Sequence, residues 1–301
     1  MPHRSAHSRF GLPSLYLAIF LLALTGLFAK LIPLNAISII QLRGIVAALG
    51  LALFAILQTR SLRLDGVRTW AGVYALGLLL GSHWVTFFHA MQISSVAVGM
   101  LSLFSFPMIT ILLEPLFSGQ TLKAGDFIAG LIVIAGLVVM VGPDLGNLQG
   151  EIMQGVLWGV FSALLFVLRN LFQKYHFNHV SSDSLMFHQV VAIGLMLAIF
   201  VDYPQVSALA PVDWLKLVLL GIFSTAGAHT LLVFSMKQLP IKSVALISCL
   251  QPVIAALLAW SVIQETPGVS VVIGGGMVLS VAAFESWQKW RINDTCAGTL
   301  K

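Results

Sequence analysis

The sequence predicts an all-α polytopic membrane protein: ten transmembrane helices in two inverted repeats of five, with both termini on the inner side. Three observations lead there. Apolar runs near the ~20 residues that cross a bilayer as a helix recur along the whole chain. A stretch of the first half matches the second half at a constant shift. The basic residues of the loops fall on one side only.

Hydrophobic residues make up 58% of the chain and charged residues 9%, where ordinary soluble chains carry about 25% charge. A globule with a single anchor is excluded. The net charge of +5 is spread over many short loops, so nucleic acid is not an expected partner. Cys249 and Cys296 are too few for a disulfide framework. Arginines ahead of the apolar run Leu15–Ala29 resemble a secretory signal, but no small-residue cleavage site follows, so this run is expected to stay as the first span.

The ten spans are expected at about Leu15–Leu31, Ile37–Leu57, Trp70–Ala90, Val96–Phe117 and Phe127–Val141. The second set covers Met153–Phe172, Ser184–Val201, Trp214–Met236, Val244–Ile263 and Val269–Ser286. Loops such as Pro33-Leu34-Asn35, Gly142-Pro143-Asp144, Asp202-Tyr203-Pro204 and Thr266-Pro267-Gly268 carry turn residues. Trp70, Trp214, Trp287 and Trp290 stand at span ends, as interfacial anchors do.

The fourth and ninth spans hold prolines at matching places inside the run, Pro107 and Pro252, 145 positions apart (252 − 107), and the fourth carries a second, Pro115, beside Glu114. The same shift carries Met91 onto Met236, Ile109 onto Ile254, Leu112-Leu113 onto Leu257-Leu258, Thr121 onto Thr266 and Gly130 onto Gly275. This is the mark of an internal duplication, giving one repeat at residues 12–142 and another at 151–290. Five spans per copy is an odd number, so the second copy enters the membrane from the opposite face. Duplicated helices broken at matching points mark the binding site of a carrier built from inverted repeats.

With the N-terminus inside, Arg4, Arg9, Arg60, Arg63, Arg68, Lys123, Lys174, Lys237, Lys242, Lys289, Arg291 and Lys301 all lie on the inner side. The outer loops hold Asp144, Glu151, Asp202, Asp213 and Glu265 and no Lys or Arg. That asymmetry fixes the orientation.

Each proline lacks an N–H and is expected to break one i→i−4 bond, freeing the carbonyl of Leu103 or Ser248. Lipid tolerates this only where protein or cavity water takes over the bond. Pro107, Pro252 and Ser248 are therefore candidates for hinge or cavity-lining positions. Gln251 beside Pro252 offers both a donor and an acceptor there. Arg43 lies about six residues into the second span, roughly 9 Å below the outer surface. A guanidinium at that depth faces substrate, pairs with a partner, or snorkels outward. Lys30 is nearer its span's outer end, where snorkelling competes with a substrate role.

Trp84, with Phe87 and Phe88, forms an aromatic turn that suits an apolar or aromatic solute, though aromatic packing alone gives the same pattern. His83, a candidate substrate contact, and His229, a candidate for coupling, are titratable groups inside spans, as is His188, with plain hydrogen-bonded interior histidines as the competing reading. Glu114, near the inner end of the fourth span, is a candidate for coupling, and Arg169 is its expected partner. No pair has metal-ligand spacing, and neither a metal nor a cofactor is expected. Gly77-x-x-x-Gly81, Gly155-x-x-x-Gly159 and Gly274-Gly275-Gly276 point to close helix packing.

Leu250-Gln251-Pro252-Val253-Ile254-Ala255-Ala256, then Gln264-Glu265, then Gly274-Gly275 resembles the module that ends each repeat of EamA-type transporters of the drug/metabolite transporter superfamily. The resemblance covers essentially the whole chain. The first copy reads Phe106-Pro107-Met108-Ile109-Thr110 and departs at Gln120, where Glu265 maps; Thr25-Gly26 replaces the usual Trp-Gly of the first span. Lys30 and Arg43 fit basic positions often found in the family's first two spans.

The resemblance implies a secondary carrier exporting or exchanging small organic metabolites, such as amino acids or drug-like solutes, across the inner (plasma) membrane. It implies a central cavity and alternating access. The expected partners are a small-molecule substrate and the lipid bilayer, with a homodimer left open. An intramembrane enzyme acting on a lipid-linked substrate is the competing class, but the spans hold no Gly-x-Ser-x-Gly, no H-E-x-x-H and no paired aspartates. A non-transporting membrane sensor is the third reading. No Gly-x-x-x-x-Gly-Lys-[Ser/Thr] loop for nucleotide hydrolysis occurs.

Overall fold

The computed structural model describes residues 8–119, 124–144, 146–229, 231, 232, 235 and 247–298. Among them every regular element is helical. In chain order these are α1 (Ser8–Leu31), α2 (Ala36–Leu57), α3 (Val67–Ile93), α4 (Val96–Leu103), α5 (Phe106–Ser118) and α6 (Ala124–Val141). Then come α7 (Glu151–His176), α8 (Ser182–Leu197), α9 (Tyr203–Ser207), α10 (Pro211–Leu219), a π-helical segment Leu220–Gly227, α11 (Gln251–Ile263) and α12 (Val269–Gly298).

Among the described residues, six stretches are long and apolar enough to cross a membrane: Gly11–Leu31, Ala36–Leu57, Val67–Ile93, Val96–Phe117, Glu151–His176 and Ser182–Phe200. Shorter apolar helices run over Phe127–Val141, Gln251–Ile263 and Val269–Val281. The expected eighth span corresponds to α10 and the π segment, and its last residues lie outside the described ones. So do the start of the ninth span, Gln120, Lys123, Lys237 and Lys242. The outer surface is apolar: Leu49, Leu53 and Ile56 on α2 and Phe127, Leu131 and Ile134 on α6 all point outward. A soluble chain would not leave such belts bare, and a lipid-facing one needs them. The chain is a multi-pass membrane protein.

Helices start where polar caps stand. Asn35 accepts from the N–H of Ser38 at 2.9 Å to open α2. Ser95 accepts from Val98 at 3.1 Å to open α4, and Asp202 from Gln205 at 3.1 Å to open α9 within an expected loop. Each side chain satisfies a first-turn donor that has no partner within its own helix.

The break in the fourth span corrects one expectation. The prolines do not interrupt helices; they begin them. Pro107 and Pro252 stand in the first turns of α5 and α11, and the chain leaves the helix just before, at Phe104-Ser105 and Cys249-Leu250. The reason is steric. Proline disfavours the helical region for the residue before it, while its missing N–H costs nothing in a first turn.

Both breaks have one geometry. Ser105 donates its N–H to Ser102 O at 3.1 Å, and Leu250 to Ile247 O at 3.0 Å. Ile109 donates to Ser105 O at 3.2 Å, and Ile254 to Leu250 O at 2.9 Å. All four bonds correspond at the 145-residue shift. Both helices also end alike, in a left-handed residue: Gly119 at φ 70° and Gln264 at φ 56°.

The helix pairings exchange with the halves. α2 packs on α8 and α6 on α12, each helix meeting its own counterpart. The α3–α7 contact is answered by α1 on the π segment, α3–α8 by α2 on the π segment, and α5–α7 by α1–α11. All eight residues of α4 are buried. On α11 only Pro252, Ala255 and Ala259 are buried, while Leu257 and Trp260 face outward. Small residues sit at the closest approaches. A Cβ on Gly159 would lie 2.5 Å from Ser102 Cβ of α4, and one on Gly77 2.6 Å from Ala192 Cβ of α8.

Candidate functional site

Arg43 sits two turns into α2 and is 2% exposed. Its guanidinium carbon lies 4.3 Å from the Trp84 ring centroid and 5.4 Å from that of Phe88. Trp84 and Phe88 are four residues apart on α3 and so share a face. Arg43 Nε donates to Thr225 Oγ1 at 2.7 Å. Thr225 in turn donates to Leu220 O, five residues back, at 3.1 Å. That i→i−5 reach belongs to the wide turn of the π segment, a feature concentrated at functional sites.

His229 follows the π segment directly, and its ring stacks on Trp84 with centroids 6.4 Å apart and planes 29° from parallel. Arg43, Trp84, Phe88, Thr225 and the half-buried His229 thus form one cluster, where α2 packs on both α3 and the π segment.

His83 faces the other way, towards α7. Its Nδ1 lies 2.7 Å from Ser162 Oγ and 3.0 Å from Ser162 O. Ser162 Oγ donates its only hydrogen to His83 O at 2.8 Å, so Nδ1 carries the proton and donates. Phe166 and Phe87 flank the ring. His83 therefore clamps α3 to α7 and is not part of the Trp84 cluster. Arg169 on α7 donates through Nε and Nη2 to Gln189 Oε1, at 3.0 and 2.6 Å, and through Nη1 to Asn170 Oδ1 at 2.9 Å.

The remaining candidates lie apart. Lys30 donates to Ser94 O at 2.8 Å and Gln92 O at 3.3 Å, and pairs with Glu265 at 3.4 Å. Glu265 also accepts from Val96 N at 2.7 Å, capping α4. None of Lys30's partners is another candidate residue. Glu114 pairs with Lys174 at 2.6 Å and Tyr175 at 3.2 Å, not with Arg169 as expected. Lys174 takes that place, and Gln189 and Asn170 already occupy Arg169. Pro107 and Gln251 are half-buried at helix starts, and Ser248 is half-buried just before α11. His188 donates from Nε2 to Leu62 O at 2.8 Å, outside the cluster. A separate polar cavity of about 340 Å³ near the α2–α3 loop is lined by Arg63, Asp65, His179 and Ser184, and holds none of these residues.

Thr225, Ser162 and Gln189 were not legible as site residues. The signal for His229 was present, because the repeat shift carries Trp84 onto it (229 − 84).

Comparison with known proteins agrees with this architecture. The chain is similar to a protein named uncharacterized transporter from Archaeoglobus fulgidus, 24% identical over 273 residues, spanning 90% of this chain and 94% of that one. It is similar to the uncharacterized transporter YxxF of Bacillus subtilis, 24% identical over 232 residues and covering 75% and 73%. A solved crystal structure shares the fold, with a TM-score of 0.63 at 18% identity, over 94% of this chain and 98% of that one. The model of the EamA-like transporter family matches residues 9–142 and again residues 153–286. With both halves matched, the chain belongs to the EamA-like transporter family.

Proposed function

We propose that this protein is a secondary carrier that exports or exchanges small organic metabolites, such as amino acids or drug-like solutes, across the inner membrane. It works by alternating access between two inverted repeats of five helices, residues 12–142 and 151–290, with both termini inside. The observation that carries this reading is the seat of Arg43. A cation lies on the face of Trp84, whose ring stacks on His229, its counterpart in the other half, the place where two exchanging halves hold a common site. The matching geometry of the α4–α5 and pre-α11 breaks adds support, since both halves carry the same joint.

The test is solute counterflow in vesicles reconstituted with the purified chain, run over amino acids and drug-like solutes, with product analysis alongside. Accumulation of unchanged solute is expected, and Arg43→Ala should abolish it while leaving folded protein in the membrane. Chemical conversion of a lipid-linked substrate without solute movement would replace the carrier with an enzyme.

A further inference from the structure

We infer that the solute carried is an organic anion, whose carboxylate or other oxyanion docks on Arg43 while its apolar body lies along Trp84 and Phe88. This rests on the carrier reading and names the substrate class of the same site. Three observations bear on it.

The first is a missing counter-charge. The chain has 11 Asp and Glu, and each stands in a loop or within a few residues of a span's end. Glu114 is held by Lys174, Glu265 by Lys30 and Asp213 by Lys216. Two guanidiniums, Arg43 and Arg169, thus lie in the interior with no carboxylate beside them among the described residues. Buried charges are normally paired, and a carrier can leave the pairing to its cargo.

The second is the difference between the two arginines. All three nitrogens of Arg169 donate to side-chain amide oxygens. Arg43 donates only through Nε, to Thr225. Its Nη1 and Nη2 have no hydrogen-bond partner among the described residues. Those two nitrogens form the fork that grips a carboxylate or phosphate in bidentate fashion. Arg169 is satisfied; Arg43 keeps donors to offer.

The third is the company it keeps. Trp84, Phe88 and His229 give flat walls and no competing anion. Amphipathic anions with an apolar or aromatic part match such surroundings. An organic cation would meet the like charge of Arg43 and no carboxylate among the described residues.

The experiment reads the charge preference of the site without needing the native solute. In a chain with Cys249→Ser and Cys296→Ser, His229→Cys places a thiol beside Trp84. Its labelling rates with an anionic and a cationic methanethiosulfonate are compared with those of a cysteine placed at exposed Thr59. The anionic reagent should be favoured at position 229. Arg43→Gln should shift the ratio by at least about tenfold towards the cationic reagent. Equal ratios at the two positions, no response to Arg43→Gln, or a thiol that neither reagent reaches would overturn the inference.

A second measurement guards against damage by the cysteine. The unmodified chain is heated with 3-phenylpropionate, phenyl phosphate, 3-phenylpropylamine or 3-phenylpropanol. At least one of the anions should raise the midpoint, and Arg43→Gln should remove that shift. Stabilisation by the amine alone, or by nothing, counts against the inference. Labelling and heating both report binding, not movement. An anion that binds but shows no counterflow would defeat the carrier reading and leave the anion site standing. A transported cation would do the reverse.

Discussion

Trp84 stacks on His229, its own counterpart 145 positions along the chain, with ring centroids 6.4 Å apart. Equivalent residues of two repeats touch only near the axis that relates the repeats. The stack therefore lies near that axis, and Arg43 lies over the Trp84 face.

The first prediction separates ring from nitrogen. His229→Phe keeps a stacking partner, while His229→Ala removes it. If the ring is what matters, the phenylalanine variant should transport at near-wild-type rate and the alanine variant poorly. A Trp84→Ala, His229→Ala double variant should then lose less than the two single losses combined, with a coupling of about 0.5–1.5 kcal/mol. Counterflow rates at equal amounts of folded protein decide it. Loss of activity in His229→Phe would assign the role to the imidazole nitrogens.

The second prediction concerns the joints. Pro107 and Pro252 pre-set the first turns of α5 and α11, so Pro→Ala should lower stability by only about 0.4–1 kcal/mol at each. Alanine also lets the helix run back through Ser105 or Leu250 and close the gap. Transport should fall in both variants more than stability does. If thermal midpoints and counterflow both stay at wild-type values, the two joints are passive.

How much of this was legible in the sequence follows from what each feature depends on. Apolar runs and cap residues are local, so the helices and the α2 start at Asn35 could be placed in advance. The repeat shift is also in the letters, and it holds in the structure down to single hydrogen bonds at the two breaks. The position of the break was misplaced by a few residues, because a proline acts on the residue before it as well as on the carbonyl four back. Partners were the least legible. Thr225 reaches Arg43 across 182 positions, and nothing in Ser224-Thr225-Ala226-Gly227 names that arginine. Arg169 was expected beside Glu114, yet both found other partners, since neighbouring helices offered Gln189 to one and Lys174 to the other.

A third prediction uses the matched helix ends. Gly119 and Gln264 both adopt positive φ after a thirteen-residue helix, and only the first is glycine. Gln264→Gly should stabilise the protein by roughly 0.5–1 kcal/mol, and Gly119→Ala should destabilise it by a similar amount. Thermal unfolding of the two variants checks the pair. A lower midpoint for Gln264→Gly would mean that the Gln264 side chain outweighs its backbone strain.

The last prediction concerns the two ion pairs at the helix ends. Lys30 of α1 meets Glu265 just past α11, and Lys174 of α7 meets Glu114 of α5. α1 corresponds to α7 and α11 to α5, so the two pairs tie the same two helices of opposite halves. In the proposed topology one lies at the outer face and the other at the inner. They differ in strength. Glu265 is about a fifth exposed and also caps α4 through Val96 N at 2.7 Å, so Glu265→Ala should cost about 1–2 kcal/mol. Lys174 is 60% exposed, and Glu114→Ala should cost no more than about 1 kcal/mol. Their effects on access should be opposite. With a cysteine at position 229 and the native cysteines removed, Glu265→Ala should speed labelling from the outside and slow it from the inside. Glu114→Ala should do the converse. Labelling of right-side-out and inside-out vesicles measures both. If both variants shift access to the same face, the pairs are surface contacts that do not hold the two ends shut.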